Sequence, residues 1–184
     1  MFDKLKIKGR VTVQVFDNNG KLKRRSPGFL RRLLGLQGKF MVIEFSNIIT
    51  REGDALIADA LLVAPTRTKV SSSSGFIQLG TGWTNTGSKK NFTRCSTPTG
   101  AMRTLDSGFP LLKASWGNAG DTTVTYKATF EAGMLNANNI NEACLLNGNS
   151  TASNCLAYAQ ITPPVNVTEN DTLQVIWEIT VQGE

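Results

Sequence analysis

The stretch Thr172-Leu-Gln-Val-Ile-Trp-Glu-Ile-Thr-Val-Gln182 constrains this chain more than any other. Leu173, Val175, Trp177, Ile179 and Val181 fall on one side of an extended chain. Gln174, Glu178, Thr180 and Gln182 fall on the other, with Ile176 as the single exception. A period of two marks a strand with one face in a core and the other in water or against a partner. A trailing tail would not carry it, so the fold is expected to close on its last strand.

The same alternation recurs upstream. Leu5, Ile7, Val11, Val13 and Val15 oppose Lys4, Lys6, Lys8, Arg10, Thr12 and Gln14, which predicts a strand to about Phe16. Asp17-Asn-Asn-Gly20 is a hairpin signal, because Asn-Gly readily takes positive φ, and a second strand is expected from Lys21. Phe40–Phe45, Phe76–Leu79, Phe109–Trp116, Thr122–Ala132, Ile140–Leu146 and Leu156–Ile161 read as further strands. Residues 84–108 read as a polar loop or a pair of strands.

Two short helices are predicted. Ser26-Pro27 opens the first, with Phe29, Leu30, Leu33, Leu34 and Leu36 as an apolar stripe opposite Arg31 and Arg32. Thr50 caps the second, Arg51–Leu62, whose early acids suit the helix dipole and whose buried face is expected at Leu56, Ile57, Ala60 and Leu61. Thr66–Gly75, with four consecutive serines, reads as a flexible connection. The chain is accordingly expected to be mainly β: an antiparallel β-sandwich or jelly-roll-like domain over 75–184, preceded by a basic N-terminal β-hairpin and short helices over 1–65. One continuous fold is the other reading of the same pattern. No βαβ alternation appears, which excludes most nucleotide-binding folds.

Charge is unevenly placed. Residues 1–40 hold eleven Lys and Arg against two Asp, a net of +9, while residues 41–184 hold nine Lys and Arg against twelve Asp and Glu, a net of −3. Such asymmetry points to an acidic partner surface, with a solvated basic face as the plain alternative. The candidate docking residues are Lys23, Arg24, Arg25, Phe29, Arg31, Arg32 and Leu33. They could meet a membrane surface, nucleic acid or a partner's groove, or pack their apolar side on the N-terminal sheet. Docking on an acidic protein is the preferred use, since no RNA-binding signature or interleaved aromatics accompany the arginines and the helix is short for a membrane.

Enzyme chemistry finds little to work with. The chain has no histidine, which removes the commonest general base and metal ligand. Gly80–Gly87 lacks both the dinucleotide and the P-loop spacings. Glu131 and Glu142 would be a glycosidase pair of no distinction among fourteen acids. The acidic turns Asp17–Gly20 and Glu169–Asp171 are explained by turn chemistry before calcium. No catalytic residue, metal ligand or cofactor is therefore expected. Cys95, Cys144 and Cys155 are too few and too odd in number for a disulfide framework. Buried free thiols are favoured over a Cys144–Cys155 pair, in keeping with cytoplasmic folding. No secretory signal or membrane span is visible, so the sequons at Asn91, Asn149, Asn166 and Asn170 read as accidents of composition.

Several segments together carry a resemblance. They are Val11–Gly20 with Ser26–Leu34, the helix entry Asn47-Ile-Ile-Thr-Arg-Glu-Gly-Asp-Ala-Leu-Ile-Ala-Asp-Ala-Leu61, then Phe76–Gly82, Ile140–Leu146, Ala157–Ile161 and the closing strand. In pattern and order the chain resembles proteins encoded among the virion structural genes of tailed bacteriophages. The resemblance implies a β-sandwich repeated in a particle as a homo-oligomer, among tail, neck, fibre-attachment or capsid-decoration proteins. Its partners would be other virion proteins and copies of itself. On this reading, deletion of residues 1–40 is expected to abolish attachment while leaving the β-domain folded, and Ile176 to contact neighbouring copies. The alternative is a host-glycan-binding module with Trp83, Trp116 and Tyr158 as stacking faces; core burial of Trp116 and Tyr158 is the plainer reading of their strand contexts.

Overall fold

The computed structural model describes residues 5–27, 29–84, 88–112 and 122–183. Among these, nine strands form one antiparallel sheet. They are β1 (Leu5–Phe16), β2 (Val42–Ile49), β3 (Phe76–Gly80), β4 (Pro98–Thr104), β5 (Leu111–Leu112), β6 (Thr123–Phe130), β7 (Ala137–Leu146), β8 (Cys155–Val167) and β9 (Thr172–Gly183). The order across the sheet is β4-β3-β7-β8-β2-β1-β9-β6-β5. Helix α1 (Phe29–Leu33) lies in the β1–β2 connection, and α2 (Arg51–Ala60) follows β2.

The closing strand is an interior one. β9 pairs with β1 from Leu5↔Gly183 to Phe16↔Thr172, and with β6 on its other side from Thr123↔Thr180 to Phe130↔Leu173. Its alternation is used as expected: Leu173, Val175, Trp177 and Ile179 are buried against Val11, Val13 and Val15 of β1 and Tyr126, Ala128 and Phe130 of β6. Strands from residues 5–49 and 76–183 thus share one sheet and one core. This changes the consequence expected of a deletion. Removing residues 1–40 would extract β1 from between β2 and β9, so any probe of the N-terminal segment has to leave Leu5–Phe16 in place.

The sheet curls. Beyond the short β5, the outer edge of β6 is covered by the segment that leaves β4. The Asp106 N–H donates to the Lys127 carbonyl (2.8 Å), and Arg103 Nε donates to the Thr129 carbonyl (2.9 Å). Asp106 in turn accepts from Thr129 N–H (2.9 Å) and Thr129 Oγ1 (2.7 Å). An exposed strand edge invites unwanted pairing, and here a carboxylate and a guanidinium occupy it.

The entry to α2 is built on β8. Thr50 Oγ1 accepts from Gly53 N–H (2.9 Å) as the N-cap and donates to the Cys155 carbonyl, while Glu52 accepts from Cys155 N–H (2.7 Å). A Cβ on Gly53 would lie 2.0 Å from the Leu156 carbonyl oxygen, so only glycine permits this approach. Asp59 then accepts from Thr66 N–H, Thr66 Oγ1 and Arg67 N–H. These bonds, the Gly75 N–H to Ser71 carbonyl bond and Asn147 Nδ2 on the Thr68 carbonyl make the expected flexible connection a hydrogen-bonded one. The helix buries Gly53, Leu56 and Asp59, whereas Ala60 and Leu61, expected inside, are exposed.

Candidate functional site

Residues 17–27 and 29–41 leave the sheet between β1 and β2 as an arm. Asp17–Gly20 makes the expected tight turn, but the strand expected from Lys21 is reduced to isolated bridges at Leu22 and Arg24, because β1 takes β2 as its antiparallel partner instead. Asp17 Oδ1 accepts from Asn19 and Lys21 N–H, Gly20 takes φ +70°, and Leu22 bridges back to Phe16. The two legs of the arm then pair, with Arg25 N–H on the Lys39 carbonyl and Met41 N–H on the Lys23 carbonyl. Gly38 sits where they cross, its missing Cβ 1.6 Å from the Arg25 carbonyl oxygen.

The basic residues divide into two kinds. Those at the base fasten the arm: Lys23 Nζ lies 2.5 Å from Asp171 Oδ2 on the β8–β9 turn, and Arg25 donates to the Pro163 carbonyl (3.3 Å). The Arg24 guanidinium stands 4.0 Å over the Phe40 ring and donates to the Gly38 carbonyl (3.2 Å). Those at the tip are outward. Phe29, Leu30, Leu33 and Leu34 are 80%, 70%, 72% and 70% exposed, and Arg32 is exposed beside them. The side chain of Arg31 lies outside those described. The alternative in which this stripe packs on the N-terminal sheet is therefore not what the fold does. An open hollow of about 490 Å³, lined among others by Arg24, Arg25 and Arg32, adjoins the tip.

A second cluster lies on the outer face of β3, β7 and β8, beneath residues 81–84 and 88–97. It holds Cys95, Cys144, Leu146, Cys155 and Tyr158, with Phe76, Trp83, Phe92 and Met102 against it. Glu142, fully buried, accepts from the N–H groups of Gly82 (2.9 Å), Ser96 (3.0 Å) and Thr97 (2.9 Å) and from the Tyr158 hydroxyl. Three backbone donors and a phenol satisfy this carboxylate where it has no cationic partner in the described contacts. Burial, and then the Glu142 carboxylate, push the Tyr158 phenol far above its ordinary value. Glu142 thus clamps a loop, and Glu131 is an exposed residue of a different turn. Sequence could not single Glu142 out, because nothing local distinguishes it from the other acids.

The glycan-stacking set divides as well. Tyr158 is fully buried, and its ring stacks with Phe92 (4.7 Å) and Trp83 (5.2 Å), so it offers no face to a sugar. Trp83 is half-buried against it, with Lys89 Nζ 4.7 Å from its ring centroid. Trp116 lies outside the described residues. All three cysteines are free and buried; Cys144 approaches Cys95 (3.3 Å between sulfurs). Asp171 accepts from Thr168 N–H (2.8 Å) and Oγ1 (2.7 Å) as well as from Lys23, a use of the acidic turn that needs no metal. Among the described residues no helix is long and apolar enough to cross a membrane.

Comparison of the chain with protein-family models, curated proteins and solved structures finds no match.

Proposed function

We propose that this protein is a non-enzymatic structural component of a tailed-phage virion, a tail, neck or fibre-attachment protein whose arm docks it to a partner. One observation carries the reading. Four large apolar side chains at the arm tip are 70–80% exposed, on a support that is itself tied down by Lys23–Asp171 and by paired backbone legs. A soluble chain gains nothing from holding Phe29, Leu30, Leu33 and Leu34 in water, and contiguous exposed apolar surface of this kind marks an interaction site. Arginines around it suit an acidic protein surface and speed encounter with it.

The rest of the molecule supports assembly over chemistry. Among the described residues, the fully buried Glu142 carboxylate is spent on a loop, and Lys23, Arg24 and Arg25 are spent on the fold. The sandwich-like architecture belongs to the same proposal; the bonds from Arg103 and Asp106 to β6 favour a sheet folded over on itself. Quantitative mass spectrometry of purified particles from the phage that encodes this chain tests the reading. Many copies per particle are expected, and absence from washed particles would end it.

A further inference from the structure

The charge along this chain has a second asymmetry. From Glu131 to Glu184 there is not one Lys or Arg, against six acids, Glu131, Glu142, Glu169, Asp171, Glu178 and Glu184. Glu142 is satisfied internally, Asp171 by Lys23 and Glu178 by Arg10 (2.6 Å). Glu131 and Glu169 differ: both are exposed, and neither makes an ion pair among the described residues. They stand on adjoining turns, β6–β7 and β8–β9, joined by the Gly133 N–H to Glu169 carbonyl bond (2.6 Å). Met134, 42% exposed, lies beside them. Both turns are at the end of the sheet from which the arm also emerges.

Resting on the reading of the arm as a docking element, we propose that its occupant is a second copy of this chain. The tip of one copy seats on the β6–β7 and β8–β9 turns of its neighbour. The chemistry is matched on both sides. The arm brings Arg32 and an exposed Leu/Phe stripe; the turns bring Glu131 and Glu169, without ion pairs among the described residues, and an exposed methionine, while the Lys23 ammonium held at the β8–β9 turn is already paired with Asp171. The arm's base is held on its own β8–β9 turn through Lys23, which leaves the tip to a neighbour. Such a contact uses different surfaces on the two copies, so it propagates as a ring or an open filament, or pairs two copies reciprocally if the arms are exchanged.

Sedimentation velocity on the full chain over a range of concentrations and salt tests this, with three variants: Leu33→Asp at the tip, Glu131→Lys/Glu169→Lys on the turns, and Arg32→Glu. All the substituted side chains are exposed, and thermal unfolding verifies that each variant folds. The wild type is expected to form oligomers that weaken as salt rises. Tip and turn variants are each expected to raise the dissociation constant at least about tenfold, as like charges across a contact do. A mixture of Leu33→Asp with the turn variant should still form complexes, because one copy supplies an intact tip-accepting turn and the other an intact tip. Arg32→Glu should associate better with the turn variant than with wild type. A chain monomeric at every concentration overturns the proposal, and so does a turn variant that associates like wild type. If the turn variant associates normally while Leu33→Asp does not, the arm still docks but on another surface. If Leu33→Asp also associates normally and still enters particles, the docking reading itself fails.

Discussion

Lys23 Nζ and Asp171 Oδ2, 2.5 Å apart, join the leg of the arm to the β8–β9 turn. The carboxylate is almost wholly buried and the ammonium partly so, and the pair spans 148 residues of sequence. Burial alone would raise the Asp171 pKa; the Lys23 ammonium and the Thr168 N–H and hydroxyl outweigh it and hold the carboxyl below its ordinary value. A carboxyl depressed in the folded state contributes stability above its unfolded pKa of about 3.9, lost as pH falls through the lower folded value. Asp171→Asn is therefore expected to cost about 1–2 kcal/mol at neutral pH. It should also flatten the acid limb of stability below about pH 4. Urea titrations from pH 7 to pH 2 measure both.

Glu142 gives the sharpest stability prediction. In Glu142→Gln an amide NH₂ must face one of the donors that now point at the carboxylate, and a buried N–H is left without an acceptor. A loss of about 3 kcal/mol is expected, against about 1–2 kcal/mol for Tyr158→Phe, which removes one donor and leaves the three backbone bonds. Equal losses in chemical denaturation would show that the loop clamp is wrongly apportioned.

Two glycines contrast steric and conformational cost. Gly53→Ala drives a methyl into the Leu156 carbonyl and Ile49, and is expected to cost about 3 kcal/mol by prying α2 from β8. Gly20→Ala meets no atom within 4 Å but must hold φ +70°, which costs about 1 kcal/mol. Thermal unfolding of the two variants in parallel ranks them.

The thiols should be silent in the native protein. Burial raises the pKa of Cys95 and Cys144, which leaves little thiolate on either at pH 7, and Cys155 is buried away from any reagent. A thiol reagent is expected to label none of them until denaturant is added and then all three. Prompt labelling of the folded chain would show that the cover formed by Trp83 and Phe92 opens readily.

The strands were legible because burial of one face writes a period of two. Thr172–Gln182 announced β9 without any knowledge of its neighbours, β1 and β6. Asn47–Leu61 announced α2, and the structure explains its Thr50, Gly53 and Asp59 as cap, close contact and turn holder. What a period cannot say is whether a face is covered. Leu56 and Leu33 both lie on apolar stripes, yet α2 has β8 beneath it and α1 has nothing described over Phe29, Leu30, Leu33 and Leu34. The split of the basic residues was equally hidden, because Lys23 meets Asp171 and Arg25 meets Pro163 only across long sequence separations. Segment 84–108 concealed β4 because Pro98–Thr104 is an edge strand with little alternation.

The arm tip carries the central claim of the proposed docking role, and the paired substitution Leu33→Asp/Leu34→Asp, carried in the virus proposed to encode the chain, tests it most directly. Both side chains are about 70% exposed, so the variant is expected to unfold within about 0.5 kcal/mol of wild type. Its copy number in purified particles, measured beside that stability, is expected to fall to background. A variant as stable as wild type that enters particles at full occupancy would contradict the account.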